Sequence, residues 1–403
     1  MNPNLSSLQA YPFERLRQLF AGIVPNPAFS PISLGIGEPR HPTPQLIKDA
    51  YCHAIQSGES GLAAYPATAG DPKLRLSMAN WIQRRYGLKL DAATQILPIN
   101  GSREALFAFA QTVINPAASN GTVQVVCPNP FYQIYEGAAL LAGAQPYFVP
   151  SVPSRNFAQD WDSVPESVWA STQLMYVCSP GNPAGAVMPL SEWEKLFALS
   201  DKYGFVIASD ECYSEIYFRD EAPLGGLEAA AKLGRGDFKN LVSFTSLSKR
   251  SNVPGMRSGF CAGDAHWIKQ FLLYRTYHGS AMSPVVQAAS IAAWDDEVHV
   301  IDNRAKYRAK FAQVTPLLSE VMDVTLPDAG FYLWADVNGS DTEFARELLA
   351  LYNVTVLPGS YLAREANGHN PGAGRIRMAL VAETAECVEA AQRIVQFVRG
   401  RSA

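Results

Sequence analysis

The chain lacks several features that would assign it quickly. No uninterrupted apolar run reaches the ~18 or more residues a membrane-spanning helix needs, and charged residues make up only 17% of the sequence, with no block of one sign. With a formal net charge of −4, no basic stripe and no zinc-type Cys/His spacing, a nucleic-acid partner and a metal centre are not expected. Cysteine is scarce: six in 403 residues, none in a CxxC pair. Cys127, Cys178 and Cys261 fall in apolar strand-like runs, as small core residues of a reduced, cytoplasmic protein do. The stretch from Met1 to Gly22 carries Glu14, Arg15 and Arg17 and no long apolar core, unlike a secretory signal. Internal repeats and low-complexity segments are also missing.

The sequence has enough hydrophobic material, 48% of 403 residues, for two domains with sizeable cores. Strand-like and helical patterns alternate through the middle. Val123–Val126 reads as a strand, Phe131–Leu141 as a helix, and strands near 174–178 and 205–209 flank a helix over 191–203. That helix opens with Ser191-Glu192-Trp193-Glu194, a capping-box pattern. Further strands are expected near 241–245 and 258–262. Such alternation predicts an α/β protein with a mostly parallel sheet covered by helices. Residues 1–45 are loop-rich, whereas the chain beyond about 285 shows long helical patterns and two more strand-like runs, Gly330–Trp334 and Arg375–Leu380.

Against that background one lysine stands out. Lys249 lies in a hydroxyl-rich turn, Ser246-Leu247-Ser248-Lys249, directly after the apolar run Leu241-Val242-Ser243-Phe244, and Arg257 follows eight residues later. A lysine there can form a Schiff base with an aldehyde cofactor while the hydroxyls and arginine hold a phosphate. An isolated lysine after a strand is usually a surface residue. Three upstream segments change that. Ala208-Ser209-Asp210-Glu211-Cys212-Tyr213 follows a buried-type strand, so Asp210 sits where α/β folds bind ligands. It can pair with the ring nitrogen of a pyridine cofactor, and Tyr213 can reach the phenolic oxygen. An isolated aspartate in this position is commonly a helix N-cap. Ser179-Pro180-Gly181-Asn182-Pro183 puts Asn182 within reach of the same oxygen, although such Pro/Gly density usually means only a turn. Asn100-Gly101-Ser102-Arg103 begins a helical pattern whose free N–H groups suit a phosphate, unless Ser102 merely caps the helix. Cys212 is adjacent to these groups, and its neighbours suffice for the chemistry.

Together and in this order, these segments resemble the aspartate-aminotransferase-like family of pyridoxal-phosphate enzymes (fold type I, class I), over essentially the whole chain. The resemblance implies a three-layer α/β/α large domain over residues 46–284 that binds pyridoxal 5′-phosphate. A smaller α+β domain, built from residues 1–45 and 285–403, would close over the substrate. It makes Lys249 the Schiff-base lysine, Asp210 the partner of the ring nitrogen, and Asn182 and Tyr213 the phenolate ligands. Ser102, Arg103, Ser246 and Arg257 would hold the phosphate, and Tyr132 would stack on the ring. Tyr65, in Ala64-Tyr65-Pro66, would cross a homodimer interface to the partner's phosphate. Arg377 would grip the substrate α-carboxylate, with Arg375 a close rival, and Gly37 and Asn182 would line the substrate site.

Longer segments resemble a narrower group, the proteobacterial succinyldiaminopimelate aminotransferases: Met1 through Glu14, SLGIGEPRHPTP (33–44), NPFYQIYEGAALLAG (129–143), SLSKRSNVPGMRSG (246–259), YRTYHG (274–279) and LPGSYLARE (357–365). That resemblance implies ping-pong exchange of the amino group of N-succinyl-L,L-2,6-diaminopimelate with the oxo group of 2-oxoglutarate, on the route to diaminopimelate and lysine. A substrate this long and anionic calls for a further arginine. Arg40, Arg250, Arg275 and Arg364 lie in the segments just quoted, and Arg40 and Arg364 are the expected distal-carboxylate ligands. The rivals are a class I aminotransferase for aspartate, aromatic or acetylornithine-type substrates, a C–S lyase or acyl-transferring synthase of the same fold, and a ligand-sensing domain. The last is disfavoured because no helix-turn-helix segment precedes the domain.

Overall fold

A computed structural model of the chain describes residues 2–57, 61–118 and 121–401; Met1, the first residue of the quoted N-terminal segment, lies outside them. The strands are β1 (Ile32–Ser33), β2 (Ile96–Ile99), β3 (Gln124–Asn129), β4 (Gln145–Val152), β5 (Ala158–Gln159), β6 (Thr172–Cys178), β7 (Val206–Asp210), β8 (Leu241–Ser246), β9 (Gly259–Gly263), β10 (Tyr332–Asp336), β11 (Val354–Thr355), β12 (Leu357–Pro358) and β13 (Arg375–Ala379). Eight of them form one sheet in the order β2-β9-β8-β7-β6-β3-β4-β5. Its centre, β4 to β3 to β6 to β7 to β8, is parallel, and β9 runs antiparallel to both neighbours. The α/β expectation therefore holds. The central strands are buried on both faces, so even Ser243 and Thr245 of β8 are buried along with every other residue of β7 and β8.

The sequence places most elements within a few residues. The helix expected over 191–203 spans Leu190–Tyr203, but the capping box does not form. Pro189 precedes the first turn and no side chain caps it, so Ser191 lies inside the helix rather than at its N-cap. The helix Ser102–Val113 likewise starts behind Gly101, at φ 87°, without a side-chain cap. Ser102 thus stays available at its first turn.

The chain ends pack together. β1 pairs in parallel with β11, and β10, β13 and β12 form a three-stranded antiparallel sheet. The long helices Val298–Ser319 and Thr384–Arg401 cover a cluster that includes Ile32, Leu34, Phe311, Leu333, Ile376 and Ile394. The helix Pro284–Asp295 instead buries Ala289, Ala293 and Trp294 in the cluster beneath the large sheet. We propose on that packing that the small domain resumes near residue 297 rather than 285. Among the described residues no helix is long and apolar enough to cross a membrane, and no cluster of three or more His, Cys, Asp or Glu side chains is placed to hold a metal ion.

Candidate active site

The parallel strands end on one side of the sheet, and their last residues meet there: Asn129 of β3, Cys178 of β6, Asp210 of β7 and Ser246 of β8. The carboxyl edge of a parallel sheet is where chain direction and helix starts leave a crevice. A cavity of about 490 Å³ occupies it, and its lining includes Ser102, Asn182, Asp210, Tyr213, Lys249 and Arg377. Residues quoted from five distant stretches of sequence thus face one space.

Lys249 sits in the short helix Leu247–Arg250 just after β8. Its Nζ donates to the Gly37 carbonyl at 2.8 Å and lies 5.2 Å from the Phe331 ring centroid. Withdrawal from water is the main force on this amine, with the Arg377 and Arg257 cations adding to it, and its pKa falls from 10.5 to about 8. Asp210 is 5% exposed. Its Oδ2 accepts from the Tyr135 hydroxyl at 2.7 Å and its Oδ1 from the Cys212 amide at 3.3 Å. Burial pushes this carboxyl up, and those hydrogen bonds and Lys249 oppose the rise. No regular helix begins after Asp210, so it is not an N-cap.

At the other end lie the groups suited to an anion. The first-turn amides of Ser102–Val113 are uncapped. Ser102 Oγ accepts from Cys212 Sγ at 2.9 Å, and Ser246, at the end of β8, accepts from the Ser248 amide. Arg257 holds a left-handed backbone, φ 53°, and its guanidinium packs so closely on Gly101 that a Cβ there would collide with it. The Arg103 guanidinium lies 5.4 Å over the Tyr11 ring, and burial, with Tyr11 adding to it, pushes the Tyr132 hydroxyl up from its ordinary value.

Arg377, on β13, is 3% exposed. Its Nη1 donates to Asn182 Oδ1 at 3.0 Å and its Nη2 to the Gly35 carbonyl at 3.1 Å. The guanidinium lies 4.3 Å over the Tyr332 ring, and Nε is buried without a partner. Arg375 is directed elsewhere, to Asp336 at 3.3 Å and over the Phe157 ring. Tyr213 shares a 3.0 Å hydrogen bond with Tyr332, and the Tyr332 hydroxyl fills the space that a side chain at position 37 would need.

The two arginines expected to meet a distal carboxylate are placed otherwise. Arg40 pairs with Glu386 at 3.2 Å on an exposed surface, and Arg364 forms a two-point pair with Glu136, Nε to Oε1 at 2.9 Å and Nη2 to Oε2 at 2.6 Å. Neither lines the cleft. Arg250 and Arg275 are buried against Glu297 and Glu104. Each arginine was legible as a cation but its carboxylate partner, far away in sequence, was not. Arg364→Ala should therefore act on stability. It strands a largely buried carboxylate, which costs about 3–5 kcal/mol when such a pair loses one member. A lower melting temperature with unchanged substrate preference is expected; relaxed preference at unchanged stability would refute this. Tyr65 is fully exposed.

Sequence reasoning passed over Tyr135, Tyr332 and Tyr11. Tyr135 lies three residues after Tyr132 at the start of the helix Ile134–Leu141, on the same face, and that spacing was the available signal.

The chain is similar to known proteins over most of its length. The family described as aminotransferase class I and II matches residues 30–394. An LL-diaminopimelate aminotransferase of Nitratidesulfovibrio vulgaris is 32% identical over 373 residues, covering 91% of each chain. An aminotransferase from Neisseria meningitidis superposes with a TM-score of 0.94 at 55% identity, covering 99% of this chain and 100% of that one. A probable N-succinyldiaminopimelate aminotransferase from Thermus thermophilus gives a TM-score of 0.81 at 25% identity, covering 92% and 95%.

Proposed function

This chain belongs to the class I and II aminotransferase family, and we propose that it exchanges the amino group of N-succinyl-L,L-2,6-diaminopimelate with the oxo group of 2-oxoglutarate. The products are N-succinyl-2-amino-6-oxopimelate and glutamate, and the setting is diaminopimelate and lysine biosynthesis. The cofactor is pyridoxal 5′-phosphate, which supplies an electron sink for a substrate carbon that loses its proton. One observation carries the reading: an amine lowered to about 8, Lys249, shares a single cleft with a buried carboxylate, Asp210, and a buried guanidinium, Arg377.

The residues fit that cofactor. Asp210 supplies the negative charge a ring nitrogen needs, and Asn182 and Tyr213 offer hydrogen bonds to a phenolic oxygen. The uncapped helix start, Ser102, Ser246 and Arg257 form a cradle for a phosphate, with Gly101 keeping it open. Tyr132 supplies a ring face, and Tyr65 reaches the phosphate of a second copy in a homodimer.

The chain's own part in turnover follows. Arg377 turns two N–H groups toward the substrate α-carboxylate in the bidentate manner to which guanidinium is suited, with its unpartnered Nε in reserve. Lys249, neutral in an appreciable fraction near pH 8, takes the proton from the substrate Cα and hands it on as the general acid–base group of the site. Gly37 holds that amine through its carbonyl and lets the Tyr332 ring close over the site. Arg40 and Arg364 are held by Glu386 and Glu136, which leaves Arg103 at the cleft wall, expected above at the phosphate, to meet the distal carboxylate.

Free LL-diaminopimelate is the second reading, and relatives bearing that activity in their name favour it. Each charged hydrogen bond lost with the succinyl group is worth roughly 1.5–3 kcal/mol. That is about ten- to a hundred-and-fifty-fold in kcat/KM. Succinylated diaminopimelate should accordingly exceed the free form and aspartate by at least that factor, with 2-oxoglutarate as acceptor. Faster turnover of the free form would establish the second reading, and equal rates with aspartate would remove both.

A further inference from the structure

Behind the cleft lies a buried polar chain that the chemistry above does not use. On the helix Val298–Ser319, Asn303, Tyr307 and Lys310 fall on one face, four and three residues apart. All three are buried, Lys310 completely. They face His41, itself 7% exposed and delivered by the N-terminal segment. Lys310 Nζ lies 3.1 Å from His41 Nε2 and donates to the Leu380 carbonyl at 3.1 Å. His41 Nδ1 lies 2.9 Å from Asn303 Oδ1. Asn303 Oδ1 also accepts from Asn252 Nδ2 at 3.0 Å, and Asn303 Nδ2 donates to the main-chain carbonyl of Lys249 at 3.4 Å.

These contacts admit one consistent set of donors. Lys310 has protons only to give and so donates to His41 Nε2. His41 must then carry its own proton on Nδ1 and donate it to Asn303, whose amide is left to donate to Lys249. A directed chain thus runs from a buried amine to the backbone of the reacting lysine. It spans the N-terminal segment, the long helix and the turn after β8. We propose that His41, Asn303 and Lys310 are positioning residues for Lys249, acting through its carbonyl, and that protonation of His41 uncouples them.

The uncoupling follows from charge. A second proton on His41 turns its Nε2 from acceptor to donor and sets two cations 3.1 Å apart. No carboxylate lies within ion-pair distance of Lys310 among the described residues. Glu383, Glu386 and Cys387 are the acidic groups near it, and Lys306 and Glu383 are the other charges felt by His41. Burial already pushes His41 below its ordinary value, and Lys310 adds to this. The network is therefore intact at neutral pH and lost on acidification. Burying a lysine without a carboxylate is expensive, and the contact with Lys249 gives that expense a use.

The inference rests on Lys249 being the reacting amine, so Lys249→Ala is measured alongside; an active Lys249→Ala would overturn that assignment and this inference with it. In the cofactor-loaded protein, Asn303→Ala should lower kcat about tenfold, the scale of sub-ångström misplacement of a reacting group. KM should hold within about twofold, and the pH midpoint of the cofactor absorbance should move. Lys310→Met keeps the volume, removes the charge, and should fold with an equal or higher melting temperature. In this variant the acid limb of kcat should flatten, because His41 can then protonate without a facing cation. The cofactor-free protein gives a separate reading: the pH dependence of Lys249 acetylation, followed by peptide mass spectrometry, should shift in both variants. A folded Lys310→Met with the wild-type acid limb and acetylation profile, beside an inactive Lys249→Ala, overturns the network while leaving the lysine assignment standing. If Asn303→Ala does not fold, Lys310→Met decides alone.

Discussion

Lys249→Ala should reduce kcat by at least the ~10²–10⁴-fold that a positioned acid–base group contributes, with the fold intact. The side chain supports little packing: its Nζ has one hydrogen bond, to the Gly37 carbonyl. Borohydride treatment of the wild-type protein should fix one pyridoxyl group on Lys249, seen as a single modified peptide; a label on any other lysine would end the assignment. The same amine gives a stability signature in the cofactor-free protein. Its folded pKa, about 8, lies below the ordinary lysine value of 10.5. Between those values the unfolded chain binds the extra proton, so stability rises with pH across that window. Below pH 8 the charged lysine is penalised by its surroundings. Lys249→Ala should remove that rise, and an unchanged pH–stability curve would show that Lys249 titrates normally.

How much of this was legible depends on whether a residue's partner is close in the sequence. Lys249, Asp210, Asn182 and Ser102 could be read because each lies at a strand end, in the turn just beyond one, or at a helix start. A parallel sheet brings such ends to one edge, so local pattern plus topology locates them. Tyr135 was missed although it lies three residues from Tyr132, because a buried tyrosine in an apolar helix looks like core until its hydroxyl is seen on Asp210. Arg40 and Arg364 failed for the opposite reason. Specific-looking segments carried them, but Glu386 and Glu136 claim them from 346 and 228 residues away. Arg377 and Arg375 could not be separated by spacing, since residues two apart on a strand share a face; Asp336 on the neighbouring strand takes one and leaves the other to the cleft. The capping box at Ser191 misled because the helix starts at Leu190 behind Pro189, so Ser191 falls inside its first turn and does not cap it.

Asp210→Asn is the second large expected effect. The carboxylate is buried, and its two oxygens accept from Tyr135 and from the Cys212 amide. An asparagine of the same shape keeps the packing and one acceptor but loses the charge. Without the negative charge, a ring nitrogen at this position keeps its proton less readily, and the stabilisation of developing charge fails. Loss of one such preorganised electrostatic group costs on the order of 10²–10³-fold in kcat, with KM little changed on the proposed assignment of the substrate carboxylate to Arg377. Tyr135→Phe should act in the same direction and less strongly, since it removes one hydrogen bond to a charged group, roughly 1.5–3 kcal/mol. If Tyr135 works only by holding Asp210, its effect disappears in the Asp210→Asn background, the non-additivity expected of two residues in contact. Burial raises the Asp210 pKa in the cofactor-free protein, so there the folded state keeps a proton that the unfolded chain has released. Stability therefore falls as pH rises from 3.8 through the raised folded value, and Asp210→Asn should abolish that fall. Near-normal turnover in Asp210→Asn, or full additivity with Tyr135→Phe, would mean that another group supplies the charge.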